Sequence, residues 1–341
     1  VTSVFIQGMG AVSPAGWGVA VMRDTLKRNQ PLAVSDLTRP GWKHALKARP
    51  VPPPTVRPAF LSHPRLRRTS PITHYAVAAA LEALGLGTVD AVPKKSQIGI
   101  ILCVMTGCVN YSRRFYDETL KDPATASPLV FPETVFNAPA SHLATVLGAK
   151  ALNYTLVGDP GTFVQGLALG ADWLLAQRVN QCLVIGAEEL DWLTADGNNI
   201  FNRQSIVSAG AGALLLSTER SEVTLASVTD AQLFFDRKSR AVAAQAVRKQ
   251  LSHSHDNQLL CDGLQGIRSV DDAESEAWQD WGGVRISLKT ILGEGFAAAS
   301  AWQCVIAVDA LRQRQFENAT VSVVGCNEQA IGVSFRSESR F

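Results

Sequence analysis

The chain has 341 residues, 46% of them hydrophobic and 18% charged, with a formal net charge of +2. That is ample for a large core and points to one big unit or two halves. No long run of Lys and Arg suggests a nucleic-acid partner, and no apolar stretch reaches the ~18 residues of a membrane span.

The chain opens on a strand, Thr2–Gln7, so no leader peptide is expected. The strand is read as ending in a Gly8-Met9-Gly10 turn, followed by a helix over Val19–Lys27. Residues 39–71 are rich in Pro, Arg and Lys, and Pro52-Pro53-Pro54 predicts an irregular stretch. Ile72–Leu84 reads as an Ala-rich helix closed by Gly85. Ser96–Thr106 is a nearly continuous apolar strand of the type buried on both faces. Helices are expected at Asn110–Leu120 and Ala140–Leu147. Then come strand Ala151–Leu156, helix Gly161–Arg178, strand Gln181–Ile185 and the glycine-rich strand Ala209–Leu216.

A second series begins at strand Glu222–Val228. It continues with helix Arg240–Leu251, strand Gln258–Cys261, helix Asp272–Gln279, strand Val284–Leu288 and helix Phe296–Leu311. Two strands near Thr320–Val324 and Ile331–Phe335 close it. This alternation implies an α/β protein with mostly parallel sheets covered by helices. The series read as two related halves, residues 1–219 and a shorter 220–341.

The six cysteines form no CxxC pair, and most sit inside apolar runs. That is the usage of a small buried hydrophobe in a reducing compartment, so a cytoplasmic protein is expected.

Leu152–Gly170 reads as a strand, a sharp turn and the start of a buried helix. In enzymes such an elbow presents a Cys or Ser at the helix N-terminus, where the positive dipole end stabilises a thiolate. Here the turn is Asp159-Pro160-Gly161. Asp159 is expected as the N-cap and Pro160 as the first helical residue.

Four segments, in order, resemble the β-ketoacyl synthases of type II fatty-acid and polyketide systems. Gly8-Met9-Gly10-Ala11-Val12-Ser13-Pro14-Ala15-Gly16 is like that family's N-terminal signature. Leu183-Val184-Ile185-Gly186-Ala187-Glu188-Glu189 resembles the strand and loop after the nucleophile helix. Ser287-Leu288-Lys289-Thr290-Ile291-Leu292-Gly293-Glu294 matches a late Lys-Ser-x-x-Gly-His segment, and the Ala-rich helix after it also fits. The resemblance implies a thiolase-like fold: two related βα halves, stacked mixed sheets, a layered αβαβα arrangement and a shortened C-terminal half.

Such enzymes use one Cys and two His. On this match the Cys falls at Pro160, or at Asp159 if the turn shifts by one. The first His falls near Asp262 and the second at Glu294. Lys289 is retained, with Glu294 or Glu188 as its possible partner. The gate loop is shortened to Gly325-Cys326-Asn327-Glu328-Gln329. Condensation needs neutral donors aimed at a developing oxyanion, and carboxyl groups there oppose it. The resemblance therefore points to a chain length factor, non-catalytic by itself and without a cofactor. Its partners would be an active ketosynthase, in an obligate heterodimer, and an acyl carrier protein. The segment Phe131–Ser141 and the short length resemble the factors of aryl-polyene pigment clusters.

In that family the helix matching Thr106–Leu120 closes the partner's tunnel. Cys108, Tyr111 and Phe115 share one helical face and are candidates for its floor, with core packing as the competing reading. Phe131, Val135 and Phe136 are candidates for the interface or, equally, the core. Asn153, Tyr154, Thr155 and Leu156 are expected to form an edge strand pairing across the dimer axis. Arg65, Arg67 and Arg68, with Lys94 and Lys95, could attract an acidic carrier protein or form a solvated basic face. Ser252-His253-Ser254-His255-Asp256 reads as a solvated turn, not a metal site.

Two other functions remain open on the sequence. One is an acyltransferase or malonyl decarboxylase using Cys108, Thr162 or Asp159 as a displaced nucleophile. The other is a stand-alone binding protein for a CoA ester or lipid.

Overall fold

The computed structural model describes residues 3–87, 97–251 and 257–338. It opens with β1 (Phe5–Ser13), β2 (Gly16–Trp17), α1 (Val19–Lys27), β3 (Ser35–Leu37), β4 (Leu46–Arg49) and α2 (Pro71–Ala83). Next come β5 (Ile98–Val104), α3 (Val109–Lys121), α4 (Ala138–Leu147), β6 (Asn153–Val157) and α5 (Thr162–Leu175). They are followed by β7 (Gln181–Glu188), α6 (Trp192–Phe201), β8 (Val207–Ser208) and β9 (Gly210–Ser217). The second series is β10 (Val223–Val228), β11 (Gln232–Leu233), α7 (Arg237–Gln250), β12 (Gln258–Cys261) and α8 (Arg268–Ala277). It ends with β13 (Val284–Ile286), α9 (Leu288–Leu292), α10 (Ala297–Arg312), β14 (Asn318–Val324) and β15 (Gln329–Ser337).

The main strands follow one rule twice. The first set is ordered β1-β9-β7-β5-β6 and the second β10-β15-β14-β12-β13, so both run 1-5-4-2-3 when counted along the chain. A single pair, Phe5 with Thr224, joins them at their edges. The sheets are mixed, which corrects the mostly parallel expectation. The three strands farthest from that join pair in parallel in each set, whereas β9 and β15 run antiparallel to both neighbours. The cause in the second set is local: β14 and β15 are joined without a crossover helix, and such a hairpin can only be antiparallel.

Helices fill three layers. α10 is apolar all round and buried from Ala297 to Leu311, as a helix packed on both sides must be. It and α5 touch strands of both sets, while α2 and α4 cover the outer face of the first and α7 and α8 that of the second. β5 shows why its sequence is continuously apolar. Ile101 and Cys103 enter the core between the sheets, and Ile100, Leu102 and Val104 enter the core under α2 and α4.

Two further local expectations change. Gly8-Met9-Gly10 is the middle of β1, not a turn at its end. Its glycines let α2 lie on the strand: a Cβ at Gly8 would sit 1.7 Å from the Ala83 carbonyl oxygen, and one at Gly10 2.0 Å from that of Ala79. The stretch over 39–71 is not wholly irregular. It contains β4, which pairs with β3 and β8 in a small three-stranded sheet, because Ala48 and Val207 pack there with Phe296. Helices α6 and α9 are additions to the sequence reading.

Candidate functional site

The elbow lies where β6 leaves the first sheet. The Gly158 amide donates to the Val104 carbonyl, and α5 begins at Thr162 with Gly161 as its N-cap. Asp159 therefore does not cap α5, contrary to the sequence reading. Its backbone carbonyl takes the Thr162 amide (2.8 Å) and hydroxyl (2.6 Å), which leaves the carboxylate free to turn away. That carboxylate is received by the loop between β14 and β15. Oδ1 accepts from the amides of Cys326 (3.2 Å) and Asn327 (3.1 Å), and Oδ2 from those of Glu328 (3.3 Å) and Gln329 (3.2 Å). Pro160 is buried beside it and offers no reactive atom.

Cys326 lies at the surface with its sulfur 3.3 Å from Asp159 Oδ1 and 3.9 Å from Met105 Sδ. Burial of the sulfur, then the charges of Asp159 and Glu294, push its pKa up, so the thiol stays protonated. A thiol in that state is a poor nucleophile.

Behind the loop lies a buried ion pair. Lys289 Nζ is 2.7 Å from Glu294 Oε2, and both side chains are nearly inaccessible. Glu294 also accepts from Gln265 Nε2 (2.9 Å) and, through Oε1, from the Phe296 amide (2.7 Å). Phe296 holds a positive φ of 47°, so the backbone bends sharply into α10 at this contact. Burial works against the Lys289 charge, but Glu294 and then Glu274 outweigh it and raise its pKa above the ordinary value.

The position matched to the first His adds a second acidic layer. Asp262 is buried, accepts from the Leu264 amide (3.2 Å) and has Arg285 Nε at 3.4 Å. Burial raises its pKa. Glu274 on α8 accepts from the Gly263 amide, and burial followed by the Asp262 charge pushes it up to about 7. Asp262, Glu274 and Glu294 thus share one buried region with Lys289, and the carboxyl groups outnumber the two cations there, Lys289 and Arg285.

Glu188 is not the partner of Lys289. It accepts from the Met105 and Thr106 amides and the Thr106 hydroxyl, and burial pushes it up to about 7. Glu189 caps two helices at once: the Ile72 amide at the start of α2 (3.1 Å) and the Asn110 amide at the start of α3 (2.8 Å). A buried acid suits such amides, which have no partner within their own helix.

The tunnel candidates lie on another face. Cys108 is the N-cap of α3 and is buried in the outer core, its thiol 3.6 Å from the Val135 carbonyl. Tyr111 and Phe115 are half-buried further along, and Phe115 packs at a tilt against Phe131 with ring centroids 5.4 Å apart. Phe131, Val135 and Phe136 are all exposed, although the Phe136 ring covers Gly107. Among the described residues, β6 ends the first sheet and one of its edges pairs with no strand. Asn153 and Tyr154 are exposed, Thr155 and Leu156 half-buried. Asn153 Nδ2 ties the strand to the Ala140 carbonyl (3.1 Å), and Tyr154 packs edge-on against Trp173.

Arg65, Arg67 and Arg68 are exposed around a short 3-10 turn, Pro64–Leu66. Arg68 lies close enough to α3 to act on Tyr111. Lys94, Lys95 and the segment 252–256 lie outside the described residues. Glu274, Gln265 and Asp271, whose carboxylate accepts from the Gln265 (3.0 Å) and Ile267 (2.8 Å) amides, are absent from the sequence reading. The signal was present, since Asp271 and Glu274 share a helix face with Ala277 and Trp278 and acids on an apolar stripe call for buried partners.

No protein-family model and no curated protein matches the sequence. Solved structures do match over almost the whole chain. The ishigamide ketosynthase/chain length factor is 18% identical with a TM-score of 0.81, covering 99% of this chain and all of that one. A β-ketoacyl synthase from Burkholderia phymatum STM815 is 16% identical with a TM-score of 0.81 and the same coverage. The AntDE:AntF structure, a type II PKS acyl-carrier protein in complex with its ketosynthase bound to the hexaketide, is 16% identical with a TM-score of 0.78, covering 99% of both chains. The fold is therefore the thiolase-like one of these ketosynthase structures. Among the described residues, no helix is long and apolar enough to cross a membrane.

Proposed function

We propose that this chain is a chain length factor: a subunit with no condensing activity of its own that pairs with an active ketosynthase and shapes the tunnel for a chain carried on acyl carrier protein. The observation that carries the reading is the elbow. Where a nucleophile would stand, Pro160 is inert and the Asp159 carboxylate already takes four backbone amides. Condensation builds negative charge on an oxygen, and Asp262, Glu274 and Glu294 line the same centre with carboxyl groups. The other two candidate nucleophiles argue the same way. Burial and the nearby Glu189 hold the Cys108 thiol neutral, and the Thr162 hydroxyl is committed to the Asp159 carbonyl.

Partnership is supported by the open edge of β6 and the apolar side chains beside it, and obligate interfaces of this kind exceed ~2,000 Å². On this reading Phe131, Val135, Phe136 and residues 153–156 meet the ketosynthase. Tyr111 and Phe115 reach towards its tunnel, and Arg65, Arg67 and Arg68 form part of the basic surface that a carrier protein meets. The resemblance of Phe131–Ser141 favours a polyene product of the aryl-polyene type. The test is co-expression with its ketosynthase. A stable one-to-one complex is expected, and aggregation of the chain expressed alone. A well-folded monomer that binds an acyl-CoA unaided would replace this reading with that of a stand-alone binding protein.

A further inference from the structure

We propose that the amides of residues 326–329 form a carboxylate-binding cradle, and that Asp159 is its resident occupant, a stopper within the chain that shuts the elbow to outside ligands. Successive backbone N–H groups of a tight turn converge into an anion site without any basic side chain. Here four consecutive amides share one carboxylate, two on each oxygen, at 3.1–3.3 Å. Asp159 is 2% exposed, so the contact is withdrawn from water, where hydrogen bonds to a charged group count for more.

The surroundings are shaped to this occupant. A Cβ at Gly325 would sit 1.7 Å from Asp159 Oδ2, so only glycine leaves room for the carboxylate. The turn is closed by the Gly325 amide on the Gln329 carbonyl (2.9 Å). Gln165 of α5 fastens its far end by donating Nε2 to Gln329 Oε1 (3.0 Å). Elbow and turn therefore hold each other, with the anion as the key. Emptied of Asp159, the same amides would take a small carboxylate such as acetate. This inference rests on the loop geometry and not on any partner subunit.

The experiment uses the full chain, in whatever complex it purifies with, and the variants Asp159→Gly, Gly325→Ala and their combination. Amide exchange at 326–329 and alkylation of Cys326 are both followed by peptide mass. Asp159→Gly should speed both by roughly tenfold or more, the scale of losing a hydrogen bond to a charged group. Acetate should restore protection in Asp159→Gly and leave the parent unchanged. Gly325→Ala should open the turn in the parent and add less once Asp159 is gone, when only the Gln329 carbonyl oxygen, 2.8 Å from the new Cβ, is still crowded. Should the glycine variant fail to fold, Asp159→Asn gives the same signs with smaller factors. Unchanged exchange at 326–329, no effect of acetate, or full additivity of the two substitutions would overturn the proposal.

Discussion

The elbow and the edge of β6 are next to each other in sequence and opposite in character. At the elbow, Asp159, Lys289 and Glu294 are almost wholly buried and their charges are met by amides or by each other. Just before it in the chain, Tyr154 is 50% and Val157 52% exposed, on an edge that pairs with no strand among the described residues. The far end of the sheet is different again: β13 is three residues long and carries Arg285 at its centre, the kind of short, charged edge that resists pairing. The contrast teaches where the chain's unmet demands lie. The charges of Asp159, Lys289 and Glu294 are met within the chain, whereas the β6 edge with Tyr154 and Val157 is left to be covered.

The sharpest way to break the first half of that contrast is Lys289→Met, which leaves Glu294 and Glu274 without their cation. Removing one member of a buried ion pair should cost about 3–5 kcal/mol, read as a fall in the denaturation midpoint. Adding Glu294→Met should recover much of the loss. If the single change is silent, the centre is not the closed electrostatic unit described.

For the second half, Val157→Arg or Phe131→Arg should weaken association with a ketosynthase by about 2 kcal/mol or more, measured as the dissociation of the co-expressed complex on dilution. Val157→Arg should move the chain's own stability by no more than about 0.5 kcal/mol, whereas Phe131→Arg also loses the ring contact with Phe115, about 0.5–1.5 kcal/mol. Unchanged association would move the interface elsewhere. Phe115→Ala, which removes the ring packed against Phe131, should shift product length in the reconstituted pair without reducing turnover. An unchanged product distribution would place the tunnel floor on other residues.

A further expected effect is on pH dependence. Glu274 and Glu188 titrate near 7 when folded, against an ordinary 4.5. The folded chain thus binds protons that the unfolded chain has released across that interval, so stability should fall as pH rises from about 4.5 to about 7. Glu274→Gln should flatten the fall without abolishing it, because Glu188 remains. A slope identical to the parent's would show that Glu274 ionises freely.

The elements that do the most to fix the fold were the most legible. β5 is apolar throughout because both its faces are buried, and the Ala-rich run at α10 marks a helix packed between layers. Sheet direction was less so, since strand–helix alternation cannot reveal that β9 and β15 run against their neighbours. At the elbow the residue types could be read but not their partners. Asp159 had every mark of a helix cap, and nothing local to residues 152–170 shows that a turn 167 positions later would claim its carboxylate. Lys289 and Glu294, only five apart, were within reach of local reasoning; Glu274 and Asp262 needed the second sheet to bring them together.

The central claim is that this chain contributes shape and contact while another subunit performs the condensation. Reconstitution tests it most directly: malonyl- and acyl-carrier protein supplied to this chain alone, to its ketosynthase alone, and to both, with products followed by mass. The account expects no elongation from this chain alone and extended product when the two are combined. Elongation by this chain without a companion would contradict it.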